Sequence, residues 1–268
     1  METSDNSIQK VNIGLFDSGI GGFSILNELF SVFPTARYFY YSDDAHAPYG
    51  PKTDLEITNR AFAITDELLK QNVDLIVIAC NTATASSIDE LREKFPMLPF
   101  VGVEPYLNAY YKMPEGTKKV MVLTTESTGK SERFKRLKSR LDPDSNIDHF
   151  ALKNLARLIE NYYSKRSDKH RFESEIKEEL AFLQNRKYTH AILGCTHYPL
   201  IADVIEESLQ LKTISPSPYI ASRVLDLLKE LLSKRKDTNI DLDFNFYSSR
   251  NNQWEKRSRS DILLPFSK

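Results

Sequence analysis

Cysteine is scarce in this chain, since only two of its 268 residues are cysteines. Two thiols are too few for a disulfide framework. The N-terminal segment METSDNSIQK is polar and lacks the apolar core of a signal peptide, and no run of about 18 apolar residues predicts a membrane span. We therefore expect a protein of the reducing cytoplasm, where a pair of thiols is ordinarily inert packing material.

An excess of either charge is also missing. Lys and Arg together number 36 and Asp and Glu number 37, which gives a formal net charge of −1. The sequence therefore predicts no nucleic-acid partner and no anionic membrane surface as a partner. A hydrophobic content of 41% and a charged content of 27% are typical of a globular domain, so a small anionic substrate would have to be held by local groups.

Short apolar runs alternate with helix-like segments through the first part of the chain. Such alternation predicts an α/β fold with a parallel sheet and helices on both faces. The predicted strands are 12–17, 36–43, 74–80 and 99–105, and the predicted helices are 23–33, 54–72 and 86–95.

The same pattern begins again near residue 118, which indicates two pseudo-symmetric halves. A strand at 118–125 is followed by helical stretches at 130–141 and about 151–185, and then by a strand at 190–195. A helix at 219–235 and a strand at 241–247 close the chain, and the polar stretch SSRNNQWEKRSRSD after them is predicted to be a solvated tail.

Both cysteines stand at the end of a predicted strand, Cys80 in VIACNTATAS and Cys195 in AILGCTHYPL. Asp17 and Ser18 and the threonines of TTEST also follow strands, and chemistry in open parallel sheets collects at these carboxyl ends. A following helix N-terminus favours the thiolate form of a cysteine. Neighbouring Thr and Asn side chains and exposed amides can bind a carboxylate.

Nucleotide, metal and cofactor binding are three other uses for residues of these types. The glycine-rich stretch DSGIGG (17–22) lacks the spacing of a dinucleotide or P-loop motif, and its acidic head would repel a phosphate. Cys195 and His197 do not form a recognised zinc pair, so no metal site is predicted. A reversible disulfide between the cysteines stays open. No lysine for a pyridoxal phosphate Schiff base lies in these motifs, so no cofactor is predicted.

Two activated thiols in one cleft suit the inversion of a carbon centre. A proton must leave one face and another must arrive on the opposite face, and two opposed acid–base groups accomplish this more readily than one. Two facing halves would supply such a pair, which explains why the arrangement occurs twice.

Five motifs together resemble the glutamate racemases of the cofactor-independent aspartate/glutamate racemase family. The resemblance covers about residues 11 to 230, and its motifs are GLFDSGIGG, PYG, ACNTATA, LTTEST and LGCTHYP. It implies that Cys80 takes the proton from the D-enantiomer and Cys195 from the L-enantiomer, with Asp17 near Cys80 and His197 handling protons beside Cys195. It also implies that Asp17 and His197 contact the substrate together with Ser18, Tyr49, Gly50, Asn81, Thr82, Thr128 and Thr196, and that Glu160 lies near the second cysteine.

The resemblance further implies an isomerase that supplies D-glutamate for peptidoglycan, works without a cofactor and forms a homodimer. With the restart of the strand pattern, it predicts a first domain of residues 1–105 plus 218–268, which carries Cys80. The second domain would span 106–217 and carry Cys195, with the active site in the cleft between them. An aspartate racemase and a catalytically silent binding protein on this fold are the alternatives.

Purely structural roles for some of these residues also stay open at this point. Asp17 could cap the following helix, and His197 could be a core histidine. Tyr49 and Gly50 could form only a turn, because Pro-Tyr-Gly-Pro is favourable turn chemistry.

Overall fold

The computed structural model describes residues 10–114, 119–165, 168–234 and 243–262. Its strands are β1 (Asn12–Asp17), β2 (Arg37–Ser42), β3 (Leu75–Ile78), β4 (Phe100–Gly102), β5 (Val120–Thr125), β6 (Ile147–Leu152), β7 (His190–Gly194), β8 (Lys212–Ile214), β9 (Asp243–Ser248) and β10 (Gln253–Ser258). Its α-helices are α1 (Phe23–Val32), α2 (Asp54–Leu69), α3 (Asn81–Lys94), α4 (Glu126–Lys130), α5 (Glu132–Leu141), α6 (Leu155–Lys165), α7 (Lys169–Leu180), α8 (Ala202–Leu209) and α9 (Ser217–Lys234).

The strands form two sheets with the same internal order. The first sheet runs β10-β9-β2-β1-β3-β4 and the second runs β6-β5-β7-β8. The four strands β2-β1-β3-β4 thus correspond one for one to the second sheet, and all their neighbours pair in parallel. Among the strands of the described residues, only β10 pairs antiparallel, with β9. The predicted fold class, α/β with two pseudo-symmetric parallel sheets, is confirmed.

Apolar helix faces cover the sheets on both sides. In the first sheet, α1 and α9 pack on one face through residues such as Leu26 and Val224, and α2 and α3 pack on the other through Ile64 and Leu91. In the second sheet, α6, α7 and α8 cover one face while α5 contributes to a smaller core on the other. Because both faces of every central strand are covered, the strands read as continuous apolar runs.

The structure differs from the sequence prediction in several elements. Strands β6 and β8 were not predicted, and α3 begins at Asn81 rather than at residue 86. The stretch expected to be a solvated tail contains β10, whose Trp254 packs against Phe39 and Tyr247. These elements are rich in polar residues because they lie at sheet edges or present small hydroxylated side chains.

The chain crosses between the sheets twice. It leaves the first sheet after β4 and returns after β8, so β9 and β10 rejoin the first sheet beside β2. The predicted domain boundaries, 1–105 plus 218–268 and 106–217, stay a prediction with which this division of strands agrees. Within the described ranges, no helix combines the length and apolarity that crossing a bilayer requires.

Candidate active site

Cys80 follows β3 and caps the N-terminus of α3. Its Sγ accepts a hydrogen bond from the backbone N–H of Ala83 at 3.5 Å, as the position before a helix predicts. The thiol is nevertheless buried, and burial raises its pKa well above the usual value, with the charges of Asp17 and Cys195 adding to the rise. The helix N-terminus therefore favours the thiolate, as expected, but burial outweighs it.

Asp17 ends β1 and lies beside Cys80. Its carboxylate is fully buried and accepts hydrogen bonds from the backbone N–H groups of Ser18 and Gly22, each at 2.7 Å. Burial raises the pKa of Asp17, and the nearby charge of Glu160 raises it further, although His197 and the two N–H donors act in the opposite direction. Asp17 thus bonds the loop that leads into α1 while its charge faces the Cys80 thiol.

Cys195 occupies the corresponding position after β7 but has a different neighbour. A 3₁₀ turn rather than a long helix follows it, and His197 Nδ1 lies 3.8 Å from Cys195 Sγ. The other ring nitrogen, His197 Nε2, lies 2.8 Å from Glu160 Oε2. Burial alone would lower the pKa of His197, but the hydrogen bonds to Cys195 and Glu160 outweigh it and raise that pKa well above 6.5. His197 is thus a buried group that titrates beside a thiol.

Glu160 of α6 joins this histidine to the glycine-rich loop of the first sheet. Its Oε2 accepts a hydrogen bond from the Ile20 backbone N–H at 3.0 Å. Burial opposes ionisation, but the bonds from His197 and Ile20 hold the pKa of Glu160 below its usual range. A Cβ at Gly19 would overlap the Glu160 carboxylate, and one at Gly21 would overlap the His197 ring. This close approach explains Gly19 and Gly21 of DSGIGG.

Three threonine hydroxyls meet where the two sheets face each other. Thr82, in the first turn of α3, lies 3.4 Å from Thr125 Oγ1 and 3.3 Å from Thr128 Oγ1. Beside them Asn81 donates its amide N–H to the Val103 carbonyl at 3.3 Å, while its buried Oδ1 has no partner among the described residues. These side chains offer hydrogen-bond donors and acceptors to a polar ligand.

Ser18 follows Asp17 in the sequence, and Thr196 follows Cys195. Both are buried, and the Thr196 carbonyl accepts a hydrogen bond from Ser24 Oγ of α1 at 3.1 Å. Ser24 accepts in turn from Ser217 Oγ at 3.3 Å, at the start of α9. Residues of both sheets and of the second crossover therefore fix the loop that carries Cys195.

Tyr49 and Gly50 are placed differently from the other predicted residues. The Tyr49 side chain is buried, but its hydroxyl donates to Asp43 Oδ2 at 2.6 Å rather than pointing at a thiol. Gly50 is exposed, and a Cβ there would meet nothing within 4 Å. Because the Tyr49 hydroxyl is bonded to Asp43 and Gly50 has no side chain, these two residues offer a ligand their backbone groups. Asp43 was missed because no sequence signal beyond its position at a strand end marks it.

Cys80, Cys195, Asp17 and His197 therefore lie close together between the sheets. Two thiols, each with its own acid–base neighbour, lie close enough for the charge of one to affect the other. Such a pair can remove a proton from one side of a carbon and return one to the other side. Among the described residues, no group of three or more His, Cys, Asp or Glu side chains is arranged to hold a metal ion.

This chain is similar to known racemases. Residues 24–224 match the family model described as Asp/Glu/Hydantoin racemase. The chain is 36% identical over 202 residues to a glutamate racemase of Clostridium perfringens, which covers 75% of this chain and 76% of the relative. It is 35% identical over 228 residues to glutamate racemase 2 of Bacillus subtilis, with 84% of this chain and 83% of that one covered.

Solved structures agree in fold. Escherichia coli glutamate racemase, solved with L-glutamate and the activator UDP-MurNAc-Ala, superposes with a TM-score of 0.77 at 26% identity, covering 90% of this chain and 89% of that one. The Francisella tularensis enzyme in complex with D-glutamate gives 0.72 at 30% identity, with 90% and 88% covered. The chain belongs to the Asp/Glu/Hydantoin racemase family. The resemblance of its motifs to that family is thereby confirmed, and the relatives named here are glutamate racemases.

Proposed function

We propose that this protein interconverts L- and D-glutamate by a two-thiol proton transfer at the α-carbon. The observation that carries the proposal is the equivalent placement of Cys80 and Cys195 after the third strand of two sheets with the same order. Relatives at 34–36% identity that are glutamate racemases support the substrate.

In the direction from the L-enantiomer, Cys195 takes the α-proton as the thiolate. His197, whose pKa is raised, stays protonated beside it and stabilises that anion. The Cys80 thiol then gives its proton to the opposite face of the carbanion, and its raised pKa keeps it protonated until that step. The reverse reaction exchanges the two roles, with Asp17 as the acid–base neighbour of Cys80.

The substrate is held by groups around this pair. We assign contacts to Asp17, His197, Ser18, Asn81, Thr82, Thr128 and Thr196, and to the backbone of Tyr49 and Gly50. Hydroxyls, amides and backbone N–H groups suit the two carboxylates of glutamate, and the acceptors Asp17 and Asn81 Oδ1 suit its ammonium group. Glu160 acts through His197 rather than on the substrate.

Circular dichroism of purified protein tests the activity. The protein is first dialysed against a chelator, and no cofactor is added. Solutions of L-glutamate and of D-glutamate should then each lose their circular dichroism signal and reach the same equilibrium mixture. Aspartate is the comparison substrate, and faster loss of its signal would make the protein an aspartate racemase. No change with either amino acid, while glutamate still binds, would identify a silent binding protein. Activity that returns only with metal or pyridoxal phosphate would overturn cofactor independence.

The wider setting comes from the motif resemblance. It supports a homodimer in the cytoplasm whose D-glutamate enters peptidoglycan. Light scattering coupled to size exclusion measures the oligomeric state, and a mass of 30.8 kDa would identify a monomer instead.

A further inference from the structure

An ion pair between buried Asp43 and partly exposed Arg60 lies next to Asp17 of the active site. Asp43 follows β2, and its side chain is fully buried. Its carboxylate receives two hydrogen bonds from Arg60 of α2, from Nε at 3.0 Å and from Nη2 at 2.7 Å. Such a two-point contact fixes both the distance and the orientation of the two groups.

The same carboxylate holds the loop that follows. Tyr49 donates its hydroxyl to Asp43 Oδ2 at 2.6 Å, and His46 Nδ1 lies 2.9 Å from Oδ1. The Asp43 backbone N–H donates to the Asp17 carbonyl at 2.9 Å, which ties the pair to the acid beside Cys80. Asp43 thus connects α2 and the Tyr49 loop through its carboxylate, and the end of β1 through its backbone N–H.

We propose that Arg60 is a positioning residue for the substrate loop: by pairing with buried Asp43, it fixes the Tyr49 hydroxyl and with it the Tyr49–Gly50 backbone at the cleft. The inference rests on the proposed racemase activity, in which this backbone contacts glutamate. Arg60 itself touches neither thiol in the hydrogen-bond pattern of the site.

Charge explains why an arginine is needed. Burial opposes ionisation of Asp43, yet the bonds from Arg60 and Tyr49 hold its pKa below the usual range. The groups facing the carboxylate are Arg60 from α2, Tyr49 and His46 from the loop, and Tyr41 from β2. Without Arg60, Asp43 would be a buried carboxylate with only hydroxyl and imidazole partners, and the Tyr49 anchor would loosen.

The test compares Arg60→Met with Arg60→Lys in glutamate racemisation. Arg60→Met should raise KM about tenfold while kcat falls less than threefold, because the loop binds the substrate but the thiols are unchanged (the tenfold rise corresponds to ~1.4 kcal/mol). Arg60→Lys keeps the charge but not the fork, so its KM should lie between those of Arg60→Met and the wild type. Tyr49→Phe should raise KM similarly, and the double variant should add little to either single change.

Lys138→Met is the matched control. Lys138 pairs with Asp142 at 2.7 Å, and the exposed fractions of the two side chains are 23% and 0%, against 26% and 0% for Arg60 and Asp43. This variant should lose thermal stability without a change in KM.

Three results would overturn the proposal. In the first, Arg60→Met loses only stability, as the control does. In the second, kcat falls while KM stays constant, which would mean that the charge acts on a thiol. In the third, the effects of Arg60→Met and Tyr49→Phe add fully. If Arg60→Met does not fold, an unchanged KM in Arg60→Lys and Tyr49→Phe overturns it equally. Racemisation by the wild type tests the proposed function separately.

Discussion

At the scale of single residues, the two thiols have unlike neighbours. Cys80 has a helix N–H and the carboxylate Asp17, whereas Cys195 has the imidazole of His197. The sequence placed both cysteines and Asp17 at strand ends, where the structure has them, because that position can be read from apolar runs. It could not supply the contacts of Asp43, Arg60 or Ser24, because these join segments distant along the chain and no local pattern encodes them.

Replacing either cysteine by serine separates the two half-reactions. Each variant should lose about 10²–10⁴-fold in racemisation, because a hydroxyl is a far weaker acid than a thiol. With a glutamate analogue that carries a leaving group on the β-carbon, Cys80→Ser should still eliminate from the L-form, whose proton Cys195 takes. Cys195→Ser should still eliminate from the D-form. Following both variants with both analogues decides the matter, since one variant inactive on both forms beside one active on both would leave a single base.

Replacing Gly21 by alanine tests the close approach of the two sheets. Gly21→Ala places a Cβ against the His197 ring and within 2.8 Å of Asp17 Oδ2, so kcat/KM should fall about 100-fold through misplacement of both groups. Gly14→Ala crowds only the side chains of Ile76, Leu68 and Val73 at 3.2–3.3 Å. It should lower the melting temperature and leave kcat/KM unchanged. Equal kinetics in both variants would contradict the contact.

At the scale of elements, the bounds of a strand or helix are predicted more accurately when its residues are mostly apolar. The strand NIGLFD agrees in both bounds with β1, because all six residues are buried. The strand β6 was hidden in a charged stretch, since its burial pattern leaves Asp148 and Ala151 exposed. The start of α3 was placed too late because its first turn holds Asn81, Thr82 and Thr84, residue types common in loops. These three are buried by the opposite sheet and the core, which no local pattern reveals.

The C-terminal hairpin should contribute to stability although its sequence is polar. Trp254 lies edge-on to Phe39 at 5.9 Å between ring centroids and donates its indole N–H to Glu67 at 3.1 Å. Because this side chain is half-buried, Trp254→Ala should lower the free energy of unfolding by about 2 kcal/mol, at or below the lower end of the range for buried aromatics. Urea unfolding measures it, with exposed Met97→Ala as the unchanged reference. A loss no greater than that of Met97→Ala would mean the hairpin is a solvated tail after all.

At the scale of the whole molecule, polar contacts that range from buried to exposed join the two halves. Glu160 reaches both His197 in its own sheet and Ile20 in the other. Through this bridge, the ionisation of the Glu160–His197 pair contributes to the stability of the whole chain. The repeated strand pattern predicts that two sheets face each other, but it does not predict their relative orientation. That orientation is set by side-chain packing across the cleft.

The Glu160–His197 pair should therefore stabilise the protein within a pH window. The pKa of His197 is raised by folding, so its share is complete below pH 6.5 and is lost as the pH rises through the raised value. The pKa of Glu160 is lowered, so its share is complete above pH 4.5 and is lost as the pH falls through the lowered value. Stabilisation is thus largest between about pH 4.5 and 6.5.

Chemical unfolding at several pH values measures this window. Glu160→Gln should cost about 3 kcal/mol near pH 6, because it leaves a buried imidazolium without its charged partner, and less at pH 9. Glu206→Gln is the control, since Glu206 also has a lowered pKa but bonds Lys212 and Thr213 instead of a histidine. Its cost should stay constant between pH 6 and 9. A constant cost for Glu160→Gln over the same range would mean that His197 is neutral throughout.

The return of the chain to the first sheet also determines when its strands can pair during biosynthesis. Strand β2 leaves the ribosome early, yet its neighbour β9 is translated only after the whole second sheet, and Ala45 must wait for Ser249, 204 residues later, to complete its hydrogen bond. At 5–20 residues per second, the open edge of β2 is exposed for roughly 10–40 s. A nascent chain with an unpaired strand edge is prone to aggregate, so slowing intermolecular encounters during synthesis should raise the yield of folded protein.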